Sequence, residues 1–207
     1  MSRNKEMYIT HSPLVDEEDS LLLDLLIKGD RSVFSLIYNK YANELLSYGI
    51  GLGFDRDTLK DAIHDVFCKI YTTKECWENI KSLKLYLFKS LKNRLLNILK
   101  AETYTIDIAQ ENLNFSIKVT VLDELIRNED RDYIQREVEK YLNCLTFRQR
   151  EAVYLRFIQE LEYEEIAVLL DMTSHGVRKL VSRAIIRMRT QNIALFFLLL
   201  PLNSFRL

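Results

Sequence analysis

The stretch Tyr163–Arg189, YEEIAVLLDMTSHGVRKLVSRAIIRMR, decides how this chain is read. Its three acids, Glu164, Glu165 and Asp171, precede Met172, and every base follows it. With Tyr163 as position one, positions four, eight, ten, fifteen and eighteen are Ile166, Leu170, Met172, Val177 and Leu180, all apolar. Position five is Ala167, small enough to let two helices cross closely. At position nine, where the chain must turn, stands Asp171, one of the few side chains that tolerates a left-handed backbone. Thr173 or Ser174 then caps a second helix. That helix buries Val177, Leu180, Val181, Ala184, Ile185 and Met188, and its far side carries Arg178, Lys179, Ser182, Arg183 and Arg189. The spacing predicts a helix-turn-helix whose second helix offers basic and hydroxyl groups to phosphates and guanine edges in a major groove. An ordinary helical hairpin would satisfy these constraints only by coincidence. Ile186 points outward among the bases, and the pattern gives it no role.

Working upstream, LTFRQRE at Leu145–Glu151 places Thr146 and Gln149 as a capping box, opening a helix to about Ile158. Ala101 to about Val121 keeps no apolar stripe and reads as a linker between two helical units. Acids outnumber bases ten to five from Glu102 to Lys140.

The N-terminal half predicts four helices. Asp16–Lys28 is the first, with acids at its start and Lys28-Gly29 at its end. Asp30 caps the second, which carries Phe34, Ile37, Tyr38, Tyr41, Leu45 and Tyr48 at helical spacing. GIGLG at Gly49–Gly53 stops it; a phosphate-cradling loop would follow a strand rather than a helix. Asp57–Thr72 is the third, with an apolar stripe of Leu59, Ala62, Ile63, Val66, Phe67 and Ile70. Its other face carries Asp61, His64, Asp65 and Lys69, a solvated or partner-binding surface rather than a metal site. Ser82–Lys100 is the fourth. From Lys81 to Lys100 there are six bases and no acid, all but Arg94 within about half the helical wheel. Leu87, Leu91, Leu95 and Ile98 take the opposite side. A one-signed run of this length favours a polyanionic partner.

Composition sets the outer limits. The chain has 207 residues, 48% apolar, with a net charge of −1, so nucleic-acid binding must rest on local patches. The two prolines, Pro13 and Pro201, lie at the ends, and only five glycines occur; the fold class expected is all-α. Cys68, Cys76 and Cys144 are scattered and odd in number, which predicts reduced, buried or half-buried thiols and a cytoplasmic location. The N-terminus does not read as a signal peptide. The apolar run Ile193–Leu202 falls short of the roughly 20 residues a membrane span needs. His11, His64 and His175 have no nucleophile or ligand spacing near them, so neither a catalytic nor a metal site is expected.

Taken together, these motifs resemble the extracytoplasmic-function sigma factors, the small two-domain members of the sigma-70 family. DAIHDVFCKIY, from Asp61, is similar to the family's region-two helix. ENIKSLKLYLFKSLKNRLLNILK, from Glu78, is similar to the helix after it, including the basic-Asn pair Lys92-Asn93. LTFRQREAVYLRFIQELEYEEIAVLLDMTSHGVRKLVSRAIIRMR is similar to region four. The resemblance covers roughly residues 19–100 and 137–189. It implies an all-helical protein with region two at 14–101, a linker at 102–122, region four at 123–190 and an apolar tail at 191–207. Asp61, Asp65, Phe67 and Lys69 would then dock on core RNA polymerase. Asn79, Lys81, Lys84, Lys89, Lys92 and Asn93 would read and open the minus-ten element, and Thr173, Ser174, His175, Arg178, Lys179, Ser182 and Arg183 would read the minus-thirty-five element. The acidic linker would lie near the polymerase active site and RNA exit path. Family members are often held by an anti-sigma protein, frequently membrane-anchored. No cofactor, small-molecule substrate or enzymatic activity is implied, and the chain itself is not expected to be a membrane protein. His175, Gly176, Leu180 and Asp171 depart from the family's common residues, so the promoter sequence does not carry over. Three surfaces suit the apolar tail: the protein's own domains first, then a regulator, then a membrane surface. The alternatives are a free-standing helix-turn-helix regulator with a sensing or dimerising N-terminal half, and a helical adaptor that binds no DNA.

Overall fold

The computed structural model describes residues 17–28, 30, 32–72, 80, 82–102, 115 and 142–191. Every regular element among them is a helix. α1 (Glu17–Ile27) is followed by a turn in which the Asp30 carboxylate accepts from the Ser32 backbone N–H at 2.9 Å and the Ser32 hydroxyl at 2.7 Å. This fixes the start of α2 (Ser32–Gly51), as expected of an N-terminal aspartate. The buried side of α2 is Val33, Ile37, Tyr41, Leu45 and Tyr48. Relative to the stripe expected from sequence it is turned slightly. Val33 goes inside, Phe34 is half-buried and Tyr38 is exposed.

The glycine cluster does more than stop a helix. α2 continues through Gly51, and the left-handed turn comes at Gly53, φ 95°. Gly49 is bare because the Leu59 side chain occupies the space a Cβ would need. At Gly51 a Cβ would lie 2.8 Å from the Phe115 ring, so only glycine seats that aromatic without displacement.

α3 (Arg56–Thr72) starts at Asp55, whose carboxylate accepts from the Thr58 N–H at 2.9 Å, the Thr58 hydroxyl at 2.6 Å and the Asp57 N–H at 3.0 Å. All six residues of its expected stripe are buried. α4 (Leu83–Glu102) begins where Ser82 Oγ accepts from the Leu85 N–H at 3.2 Å. It packs Leu83, Leu87, Phe88, Leu91 and Leu95 inward against α2 and α3. Cys68 is exposed on α3, contrary to expectation, and Cys144 is half-buried. Cys76 lies outside the described residues.

α5 (Phe147–Phe157) opens on the expected capping box: Gln149 N–H donates to Thr146 Oγ1, and Thr146 N–H donates to Gln149 Oε1 at 3.1 Å. α6 (Tyr163–Leu170) and α7 (Ser174–Gln191) complete a second unit in which α5 and α6 both pack on α7. The two units share one core. Buried apolar residues of α1–α4, Phe115, and those of α5–α7 form a single connected cluster.

Candidate nucleic-acid interface

The turn between α6 and α7 is built as the sequence predicts. Asp171 ends α6 at φ 51°, ψ 50°, and its N–H returns to the Ala167 carbonyl. Thr173 caps α7: its Oγ1 accepts from the Gly176 N–H at 3.1 Å, and its carbonyl from the Val177 N–H at 3.0 Å. Val177, Val181, Ala184 and Met188 are buried beneath α7, with Leu180 and Ile185 half-buried against the same core. The opposite face presents His175, Arg178, Lys179, Ser182, Arg183 and Arg189, all exposed, with Thr173 exposed and Ser174 half-buried at the helix start.

Arg178 is pre-positioned. Its guanidinium stands 5.2 Å from the Tyr163 ring centroid, with Arg156 at 4.8 Å, and its Nη2 reaches Glu164 Oε1 at 2.8 Å. Stacking and an exposed ion pair each contribute little in water. Their effect is to hold a flexible cation on the outer face of the helix. Ile186 is 57% exposed on this face, flanked by Arg183 and Arg187.

The basic side of α4 is less open than its sequence implies. Lys89 and Asn93 are exposed. Lys84 pairs with Glu44 at 2.9 Å and Arg94 with Asp65 at 2.8 Å. Lys92 pairs at 2.8 Å with Glu151 of α5, and its side chain is only 15% exposed. Asn79 and Lys81 lie outside the described residues. On α3, Asp61, Asp65 and Lys69 are exposed together along one side. Phe67, grouped with these residues by the resemblance, is not part of the exposed surface. It is 1% exposed, its ring 4.8 Å from Tyr38 and 5.8 Å, edge-on, from Phe34, so it supports the face from beneath.

Sequence reasoning missed Glu151, Tyr48 and Phe115 as a group. Tyr48 donates to Glu151 Oε1 at 2.7 Å. Burial, then the Glu151 carboxylate, push the Tyr48 phenol well above its usual range, so it stays protonated. Tyr154 is raised mainly by burial, and Gln159 Nε2 donates to its hydroxyl at 3.0 Å. One signal was available: Glu151 stands three and four residues before the buried Tyr154 and Leu155, the inward side of a helix.

A helix with one buried apolar face and one exposed cationic face, set behind a left-handed turn, defines a DNA-binding helix-turn-helix unit. Residues 135–188 match the family model of sigma-70, region 4. The chain is 25% identical over 177 residues to the RNA polymerase sigma-H factor of Pseudomonas aeruginosa, covering 83% of this chain and 92% of that protein. It is 22% identical over 174 residues to the ECF RNA polymerase sigma-E factor of Haemophilus influenzae, and 25% over 177 to that of Escherichia coli. Each of these two alignments covers 80% of this chain and 90% of the relative. The match to region 4 and the likeness to these relatives along most of the chain both point to the sigma-70 family and its extracytoplasmic-function group. These relatives are named as RNA polymerase sigma factors, and the matched stretch of this chain contains the helix-turn-helix. No helix among the described residues is long and apolar enough to cross a membrane.

Proposed function

We propose that this chain docks on core RNA polymerase through α3 and brings two DNA-reading surfaces with it. The observation that carries this reading is the reversal of charge across the Asp171 turn, which leaves an exposed cationic row on α7 above a buried apolar one. In this reading region two spans 14–101 and region four 123–190, joined by the linker at 102–122. Asp61, Asp65 and Lys69 form the docking face, with Phe67 behind it. Lys84, Lys89, Lys92 and Asn93, with Asn79 and Lys81 in the preceding segment, track and open the minus-ten strand; a cationic track along the backbone suits that task. Thr173, Ser174, His175, Arg178, Lys179, Ser182 and Arg183 read the minus-thirty-five duplex in the major groove. An anti-sigma protein would act on this chain as a regulator, as the family resemblance implies.

Co-elution of the purified chain with core RNA polymerase on a sizing column tests the docking step. Asp61→Arg is the cleanest variant, because Asp61 is exposed whereas Asp65 is tied to Arg94. Loss of co-elution with unchanged helix content is expected. Undiminished binding by Asp61→Arg and by Lys69→Glu would reject α3 as the docking face.

A further inference from the structure

Three glutamates stand at the start of α6, and each has its own partner. Glu165 Oε2 accepts from the Glu162 backbone N–H at 2.9 Å, which helps cap the helix. Glu162 Oε1 lies 3.2 Å from Arg156 Nη1, and that nitrogen also donates to the Leu161 carbonyl at 2.9 Å. Both of these acids are occupied on the α5–α6 side. Glu164 is the one that reaches across to α7, where its Oε1 accepts from Arg178 Nη2 at 2.8 Å. The Tyr163 ring flanks the same guanidinium and limits how far it can swing.

An acid beside a cation assigned to DNA needs a physical reason. The Arg178 and Glu164 side chains are both more than half exposed, and such a pair adds little to folding. Next to a polyanion, the carboxylate also costs binding. Its effect depends on what Arg178 touches. A guanidinium carries five N–H donors, so with one spent on Glu164 it can still take the O6 and N7 of a guanine. That edge has no net charge and leaves the ion pair undisturbed. A phosphate carries a full negative charge and would be brought close to the carboxylate, which repels it. We propose that Glu164 is a specificity-determining residue: it steers Arg178 off phosphates and onto a guanine edge. The preference is then set by penalising the wrong contact as well as by making the right one. The inference rests on reading α7 as the helix that enters the major groove.

The test uses the full chain, in which the Arg178 face of α7 is exposed. The probes are a labelled duplex selected by the wild type from a random library and a scrambled duplex of the same length. Fluorescence anisotropy follows binding between about 50 and 200 mM salt. Arg178→Ala should lose the preference for one guanine, by about tenfold or more. Glu164→Gln, with unchanged helix content, should weaken that same preference severalfold and spare the other positions. It should also tighten binding to the scrambled duplex and steepen the log–log salt slope there by about one, as Arg178 takes a phosphate. Adding Glu164→Gln to Arg178→Ala should produce neither change. A gain that is equal on both duplexes, or that survives without Arg178, would show Glu164 acting only as one negative charge near DNA and would overturn the steering. An unchanged guanine preference in Glu164→Gln would overturn it as well. If Arg178→Ala alters no base preference, or the wild type selects no sequence, the base-reading role of Arg178 falls and the inference falls with it.

Discussion

At Asp171 the backbone takes φ 51° and ψ 50°, a conformation that costs most L-residues about 1–2 kcal/mol. Aspartate bears it better than a β-branched side chain, and glycine better still. Asp171→Val should therefore lower stability by about 1–2 kcal/mol, and Asp171→Gly should leave it unchanged or slightly raised, as read by urea unfolding. Equal effects from both would show that the turn relaxes out of the left-handed region. Asp55 works through its side chain. The Thr58 hydroxyl, then the Thr58 N–H, hold its carboxyl below the usual range. A carboxylate with a lowered pKa adds stability above its unfolded value, and that contribution fades as pH falls through the folded value. Asp55→Ala should lower the melting temperature at pH 7, and the gap from wild type should close as the pH drops below about 4. A gap independent of pH would mean the cap acts through the neutral acid.

On the scale of elements, α7 joins two demands in one helix. Its inward residues repeat every three or four positions, so the buried side was legible from Tyr163–Arg189 alone. So was the turn, a local matter of backbone geometry, whereas the cap was narrowed to Thr173 or Ser174 and only the fold selects Thr173. Gly176 was less legible. By propensity it weakens the first turn by about 1 kcal/mol relative to alanine. In place, a Cβ there would stand 3.2 Å from Thr173 Oγ1 and 3.4 Å from Met172, crowding the hydroxyl that caps the helix. Since such a cap is worth about 0.5–2 kcal/mol, Gly176→Ala should change stability by less than about 0.5 kcal/mol, the two effects offsetting one another. A gain near 1 kcal/mol in a denaturant titration would show that Thr173 shifts at no cost. The outward face has its own prediction. Arg183 is exposed, and if it meets a phosphate, Arg183→Ala should weaken promoter binding and reduce the log–log salt slope by about one. An unchanged slope would remove it from the phosphate-contacting set.

Across the whole molecule, legibility fails where contacts are distant in sequence. Periodicity places Leu59 and Val66 inside α3, yet it gives no hint that Tyr48 and Lys92 meet the same carboxylate 103 and 59 residues away. Nor does the polar, acidic stretch around Phe115 advertise a buried ring. The chain reads as two units on a linker, but the packed core runs through both, and this has a thermodynamic consequence. Units sharing buried aromatics and a buried ion pair should unfold together, because separating them first would expose Glu151 and Phe115 to no benefit. Breaking one partner of a buried pair costs about 3–5 kcal/mol, enough to undo coupling of that order. Calorimetry of the wild type should therefore show one transition whose measured and van't Hoff enthalpies agree. Glu151→Lys should split it into two, the α1–α4 and α5–α7 units melting separately, and the Lys92→Glu, Glu151→Lys pair should merge them again. If the wild type already melts in two steps, the shared core couples the units too weakly to hold them closed, and each folds on its own account.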